Sequence, residues 1–300
     1  MKFVTLKSHL PKKKYKMIFE KNLILSRENK KPIVYDVCFT SSKGPKPIVI
    51  FCHGYKGFKD WGAWNLVAEA FAREGFFFLK FNFSHNGGTI DQPIDFPDLE
   101  AFGQNNFSLE LDDLDSIINL LRSTDKYEKI IDLENITLTA HSRGGGIVLI
   151  KAEENNIIKT VITWAGVSDF GARFQENSEV FKKWEETGIT HIENGRTKQQ
   201  MPHYFQFYKN FKANEGRLTI KRAVENLKAH QLIIHGTEDS SVVLSEAQNL
   251  HKWNPKSKLE LIENADHVFG ACHPWDESEL PLDLSKVINQ SIAFIKNNKF

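Results

Sequence analysis

The sequence predicts an α/β protein: a mostly parallel central sheet of about eight strands, helices on both faces, and a helical insertion late in the chain. Three observations carry this. Short, almost wholly apolar runs at residues 48–52 and 76–83 have the composition of strands covered on both faces. They alternate with stretches whose apolar residues recur at helical spacing. At residues 136–150 a β-branched run passes through a small, glycine-rich turn straight into an apolar helix, the strand–turn–helix unit from which parallel sheets are built.

At 300 residues and 41% hydrophobic content the chain can bury a large core, and one domain is expected over residues 1–300, with an insertion at 166–225. The formal net charge of +1 gives no global attraction to nucleic acid. Residues 1–31 hold ten basic side chains against two acidic ones, which reads as a solvated segment whose lysines keep an edge strand soluble. Three cysteines, Cys38, Cys52 and Cys272, without C-x-x-C spacing suit a reducing compartment and offer no metal site. No signal-like start and no run of ~18 apolar residues is present, so a cytoplasmic location without a membrane span is expected.

In order, strands are expected at residues 16–25, 32–40 and 48–52, the last ending in His53-Gly54-Tyr55-Lys56-Gly57. An amphipathic helix follows at 61–74 with Trp64, Val67, Ala68 and Phe71 on one side, stopped by Gly75. Strand 76–83 leads into a polar, proline-punctuated loop at 89–106 and a helix at 109–122. Strand 136–140, helix 144–152 and strand 160–165 come next. Residues 166–225 interrupt the alternation and are rich in aromatics, including Phe174, Phe181, Trp184, Phe205 and Phe207. Strand 231–235, helix 243–251, strand 258–262 and a closing helix at 284–297 complete the chain.

The chemistry-bearing residues collect at the carboxyl ends of these strands, where open parallel sheets bind ligands. Ser142, in Ala140-His-Ser-Arg-Gly144, stands at the apex of the strand-to-helix turn. Its plain alternative is a helix cap; its sharper reading is a nucleophile held on a tight elbow. A serine nucleophile needs a base, and the base a group that fixes its tautomer. His267, on the loop after strand 258–262, is the chosen base. Asp239, in His235-Gly-Thr-Glu-Asp, is the chosen acid, with Glu238, Asp266 and Asp169 as rivals and a turn or cap as its alternative. His53 and His141 flank the motifs and read as structural, while His235 and His251 read as packing. Backbone N–H groups of Tyr55 and Arg143 are the expected oxyanion donors. For Lys56 and Arg143 a surface salt bridge is preferred over attraction of a carboxylated substrate.

His53-Gly54-Tyr55-Lys56-Gly57, Phe81-Asn82-Phe83-Ser84, Ala140-His-Ser-Arg-Gly144, His235-Gly236 with Asp239, and Asp266-His267 occur in one order along most of the chain. Together they resemble the α/β-hydrolases, in the branch of dienelactone-hydrolase-like and cinnamoyl-esterase-like enzymes. The first glycine of the usual G-x-S-x-G motif is Ala140 here. A dienelactone hydrolase would carry cysteine at the position of Ser142, which disfavours that chemistry. Prolyl-oligopeptidase-type peptidases share the core but add an N-terminal propeller, for which no room is expected.

The resemblance implies a serine hydrolase without cofactor or metal, acting through an acyl-enzyme on carboxylic esters with small to medium acyl groups, which the aromatic insertion suggests are apolar or aromatic. It is compatible with a homo-oligomer, and it makes residues 166–225 a lid whose aromatic rings either select substrate or only pack it onto the core. Amidase or peptidase, thioesterase and acyltransferase activity use the same triad. A non-catalytic binding protein on this scaffold is the alternative of another class.

Overall fold

The computed structural model describes residues 15–298; the first fourteen residues of the basic segment lie outside the described residues. Strands β1 (Met17–Arg27) and β2 (Lys30–Thr40) form a hairpin. The half-exposed side chains of β1 mark it as the sheet edge. Then follow β3 (Lys46–Cys52), α1 (Trp64–Arg73), β4 (Phe77–Phe81), α2 (Leu99–Gln104) and α3 (Phe107–Ser123). Strand β5 (Ile131–His141), helix α4 (Arg143–Glu154) and strand β6 (Ile158–Trp164) form the central unit. The insertion carries a short 3-10 turn, α5 (Glu179–Thr187), strands β7 (Ile189–Glu193) and β8 (Gln200–Tyr204), α6 (Gln206–Ala213), α7 (Glu215–Leu218) and α8 (Ile220–Glu225). Strand β9 (His230–Gly236), helix α9 (Leu244–Trp253), strand β10 (Lys258–Ile262) and helix α10 (Leu282–Asn297) close the chain.

Eight strands form one sheet in the order β1-β2-β4-β3-β5-β6-β9-β10. Only β1 and β2 run against their neighbours; from β4 to β10 every pairing is parallel. Chain direction across the sheet reverses at β3, since β4 lies on one side of it and β5 on the other. The helices following β3 and β5 cover opposite faces: α1 packs with α10 over one, and α4 with α3, α8 and α9 over the other. A crevice therefore opens above the carboxyl ends of β3 and β5, the switch point of the sheet. The pairings Cys52 to Ala140 and His141 to Trp164 bring these ends level.

Three elements differ from expectation. The polar loop contains α2, because the Asp98 side chain caps it by accepting from the Ala101 N–H at 2.9 Å. Strand β5 begins earlier, pairing Ile131 with Lys46. The register then jumps beside Pro47, which lacks an N–H for the ladder, so residues 133–135 bulge out before the apolar run resumes at Ile136. The insertion also holds the β7–β8 hairpin besides its helices. Its rings form a satellite core of Phe181, Trp184 and Phe205, with Phe174, Phe207 and Tyr208 against it.

Candidate active site

Ser142 sits between β5 and α4 with φ 58° and ψ −126°, a conformation strained for any residue with a Cβ. Its neighbours over-determine that turn. The Ser142 N–H donates to the Trp164 carbonyl at 2.9 Å, and its own carbonyl accepts from the Gly145 N–H at 2.9 Å and the Val167 N–H at 3.3 Å. Close approach makes two glycines obligatory here. A Cβ on Gly144 would stand 2.6 Å from the His53 carbonyl, and one on Gly54 would stand 2.8 Å from the Ser142 Cβ. Ala140 is fully buried, and its methyl is accommodated in the core of the sheet.

The hydroxyl of Ser142 donates to His267 Nε2 at 3.0 Å. His267 Nδ1–H donates to Asp239 Oδ2 at 2.8 Å, which fixes the tautomer that leaves Nε2 free to accept. The other Asp239 oxygen accepts from the Ser241 and Val242 N–H groups, each at 2.8 Å. Burial would raise this carboxyl, but hydrogen bonds from His235, His267 and the Val242 N–H hold it well below the usual carboxylate range. The rivals point elsewhere: Glu238 is exposed, Asp266 caps its own turn by accepting from Val268 and Gly270 N–H, and Asp169 accepts from the Gly171 N–H.

The flanking histidines are fasteners. His53 Nδ1–H donates to the Gly54 carbonyl at 2.9 Å, and its Nε2 accepts from the Phe83 N–H at 3.2 Å, tying the loop after β3 to the end of β4. His141 Nε2–H donates to the His267 carbonyl at 2.8 Å, so the loop bearing the imidazole is anchored to the strand bearing the serine. Burial pushes His53 down to about 4 and His141 down to about 3, which keeps both neutral. His235, read from the sequence as packing, also serves the site: its Nε2 donates to the Val242 carbonyl at 2.7 Å and lies 3.3 Å from Asp239.

Tyr55 and Arg143 both border Ser142 in a cavity of about 680 Å³. The Arg143 guanidinium lies 5.0 Å over the Tyr55 ring and pairs with Glu110, which is 2% exposed. The expected surface salt bridge is thus a buried one. Lys56 departs further from that expectation: among the described residues no carboxylate pairs with it, and its ammonium rests 5.2 Å from the Tyr55 ring. The Tyr55 hydroxyl is 2.6 Å from Nε2 of His203, on β8, and so links the loop after β3 to the insertion.

Sequence reading missed two supports of this site. One is Glu110, an acid on the buried face of α3 in line with Leu114 and Ile117. The other is a quartet in which Lys59 and Lys80 each bridge Asp36 and Asp60 at 2.5–2.8 Å. A lysine inside the apolar run Phe76-Phe-Phe-Leu-Lys80-Phe was the available signal, because a buried ammonium demands partners. Among the described residues no group of His, Cys, Asp and Glu could hold a metal ion, and no helix is long and apolar enough to cross a membrane.

A family model described as the prolyl oligopeptidase family matches residues 102–273, more than half of the chain. No curated protein matches it. Among solved structures, Est1E from Butyrivibrio proteoclasticus with ferulic acid bound is similar at a TM-score of 0.69 and 16% identity, covering 92% of this chain and 98% of that one. A dienelactone hydrolase from Anabaena variabilis is similar at 0.62 and 15%, covering 95% and 99%. A puromycin-hydrolyzing peptidase of Mycobacterium tuberculosis is similar at 0.63 and 16%, covering 95% of this chain but 39% of that one. At such identities these structures speak for the fold, and the family match carries the membership. The chain is an α/β-hydrolase enzyme and belongs to the prolyl oligopeptidase family.

Proposed function

We propose that the protein is a serine esterase cleaving carboxylic esters of small to medium, apolar or aromatic acyl groups through an acyl-enzyme. The observation that carries this reading is the unbroken hydrogen-bonded line Asp239–His267–Ser142 at a strained elbow facing an aromatic cavity. Ser142 Oγ attacks the ester carbonyl as its proton passes to His267 Nε2, and Asp239 stabilises the imidazolium. The N–H groups of Tyr55 and Arg143 receive the oxyanion. His267 then hands its proton to the departing alcohol, and water, activated by the same imidazole, frees the acid and restores Ser142.

Phe107, Phe170, Phe174, Phe181, Trp184 and Phe207 border the cavity, which favours an apolar or aromatic acyl group over a polar one. Residues 166–225 supply most of these rings and act as a lid within one domain over residues 1–300. The neighbour with ferulic acid bound adds weight to aryl acyl groups. The family match favours a second reading, cleavage of amide or peptide bonds by the same acyl-enzyme.

Ser142→Ala is expected to abolish ester hydrolysis and labelling by a fluorophosphonate, with circular dichroism unchanged. Retained turnover would refute the assignment. Nitrophenyl esters of increasing chain length, feruloyl esters and the matching amides then rank acyl group and bond type. Equal rates across the acyl series would remove the lid from substrate selection, and faster amide cleavage would favour the second reading.

A further inference from the structure

Every charged side chain bordering the cavity is a cation: Lys56, Arg143 and Arg173. Two of these are neutralised from outside, Arg143 by Glu110 and Arg173 by Glu246 at 2.5 Å. Lys56 has no such partner among the described residues. It is half-buried, and burial pushes its ammonium down from the usual lysine value. It also occupies a left-handed backbone position, φ 53°, where glycine would be unstrained. A costly conformation thus presents an uncompensated charge to the site. His203, facing the same space, is pushed down to about 4 by burial, then by Arg143 and Lys56.

Lys56 borders a second cavity as well, of about 350 Å³, shared with Trp61, Arg196 and His273. Ala271, Cys272 and His273 of that cavity belong to the loop running on from His267. In ester cleavage the leaving alcohol must lie beside the imidazole that protonates it; His267 borders the first cavity together with Lys56, so an alcohol leaving past Lys56 would reach the second. The aromatic rings of the insertion line the first cavity, where the acyl half would sit.

We propose that Lys56 is a specificity-determining residue that binds an anionic group, carboxylate or phosphate, on the alcohol half of the substrate. The inference rests on the esterase reading above and narrows it to aryl or apolar acyl esters of acidic alcohols. The acyl C–O bond breaks as in any ester, His267 supplies the proton to the departing oxygen, and the anion stays paired with Lys56 throughout.

The test compares cinnamoyl esters of glycolate, of glycolamide as its neutral counterpart, and of phosphoethanol against hydroxyethyl. For the protein as it stands, kcat/KM for each anionic ester should exceed that of its neutral partner by about ten-fold, the scale of one charge-assisted hydrogen bond. The advantage should shrink in 0.5 M salt. Lys56→Gly, which relieves the backbone strain, and Lys56→Gln should bring the ratio to about one, while Lys56→Arg keeps it. The phosphate and carboxylate pairs identify which anion is preferred. Equal turnover of anionic and neutral esters, or a preference that survives Lys56→Gly, overturns this inference and leaves the esterase reading standing. Inertness towards every ester overturns both.

Discussion

At the residue scale, the site depends on backbone positions that tolerate no side-chain growth and on a carboxylate with no competitor. Gly54 faces the Ser142 Cβ directly, so Ser142 owes its setting to a neighbour that lacks a Cβ. Asp239 gathers His267, His235 and two backbone N–H groups, whereas Glu238 next to it in sequence is exposed. Asp239→Asn keeps the shape but offers an amide where Nδ1–H needs an acceptor, which favours the wrong tautomer. About four orders of magnitude in kcat should be lost, the scale of the equivalent change in serine proteases, while Glu238→Gln should leave kcat within a few-fold. Steady-state kinetics on one nitrophenyl ester checks both, and the reverse ranking would move the acid role to Glu238.

At the element scale, the sheet and the elbow were legible because their signals are local: apolar runs, helical spacing, and a serine between small residues. Ser142, Asp239 and His267 could be chosen as candidates because each follows a recognisable strand. What escaped reading was pairing across the fold. No spacing rule links Lys80 on β4 to Asp36 on β2 or to Asp60 beyond β3, or Glu110 on α3 to Arg143 on α4, although Lys80 and Asp36 were each a charge in an apolar stretch. The hairpin β7–β8 escaped because β8, Gln200-Met-Pro-His-Tyr204, holds a proline and no β-branched residue and so carries no strand signal. The Asp36–Lys59–Lys80–Asp60 quartet clamps the loop after β3 to the sheet, with both lysines fully buried. Removing one partner leaves a buried charge short of neutrality, so Lys80→Met should cost about 3–5 kcal/mol. Lys80→Met with Asp36→Leu should recover much of that loss. Urea denaturation measures both, and a single variant as stable as the parent would show that the quartet is not clamping the loop.

At the scale of the whole molecule, the buried histidines make stability a function of pH. Burial pushes His53, His85 and His203 down to about 4 and His141 down to about 3, against ~6.5 in an unfolded chain. A histidine with a depressed folded value contributes its stability above the unfolded value and loses it as pH falls towards the folded one. Between pH 6.5 and 4 the unfolded chain therefore binds up to about four more protons on these rings. Asp113 works against this: burial raises it to about 6, so the folded state regains one proton over the same range. Over these five groups the difference is about three protons near pH 5, a slope on the order of 3–4 kcal/mol per pH unit, and His273, which burial also pushes down, adds in the same direction. Melting temperature should be nearly level above pH 7 and fall steeply below pH 6.5. His85 hydrogen-bonds Ser84 and takes no part in the Ser142–His267–Asp239 line, so it permits a check. Calorimetry of His85→Gln from pH 7.5 to 4.5 should show the slope reduced by about one proton. A melting temperature unchanged between pH 7 and 5, or an unaltered slope in the variant, would mean that these rings are protonated in the folded state.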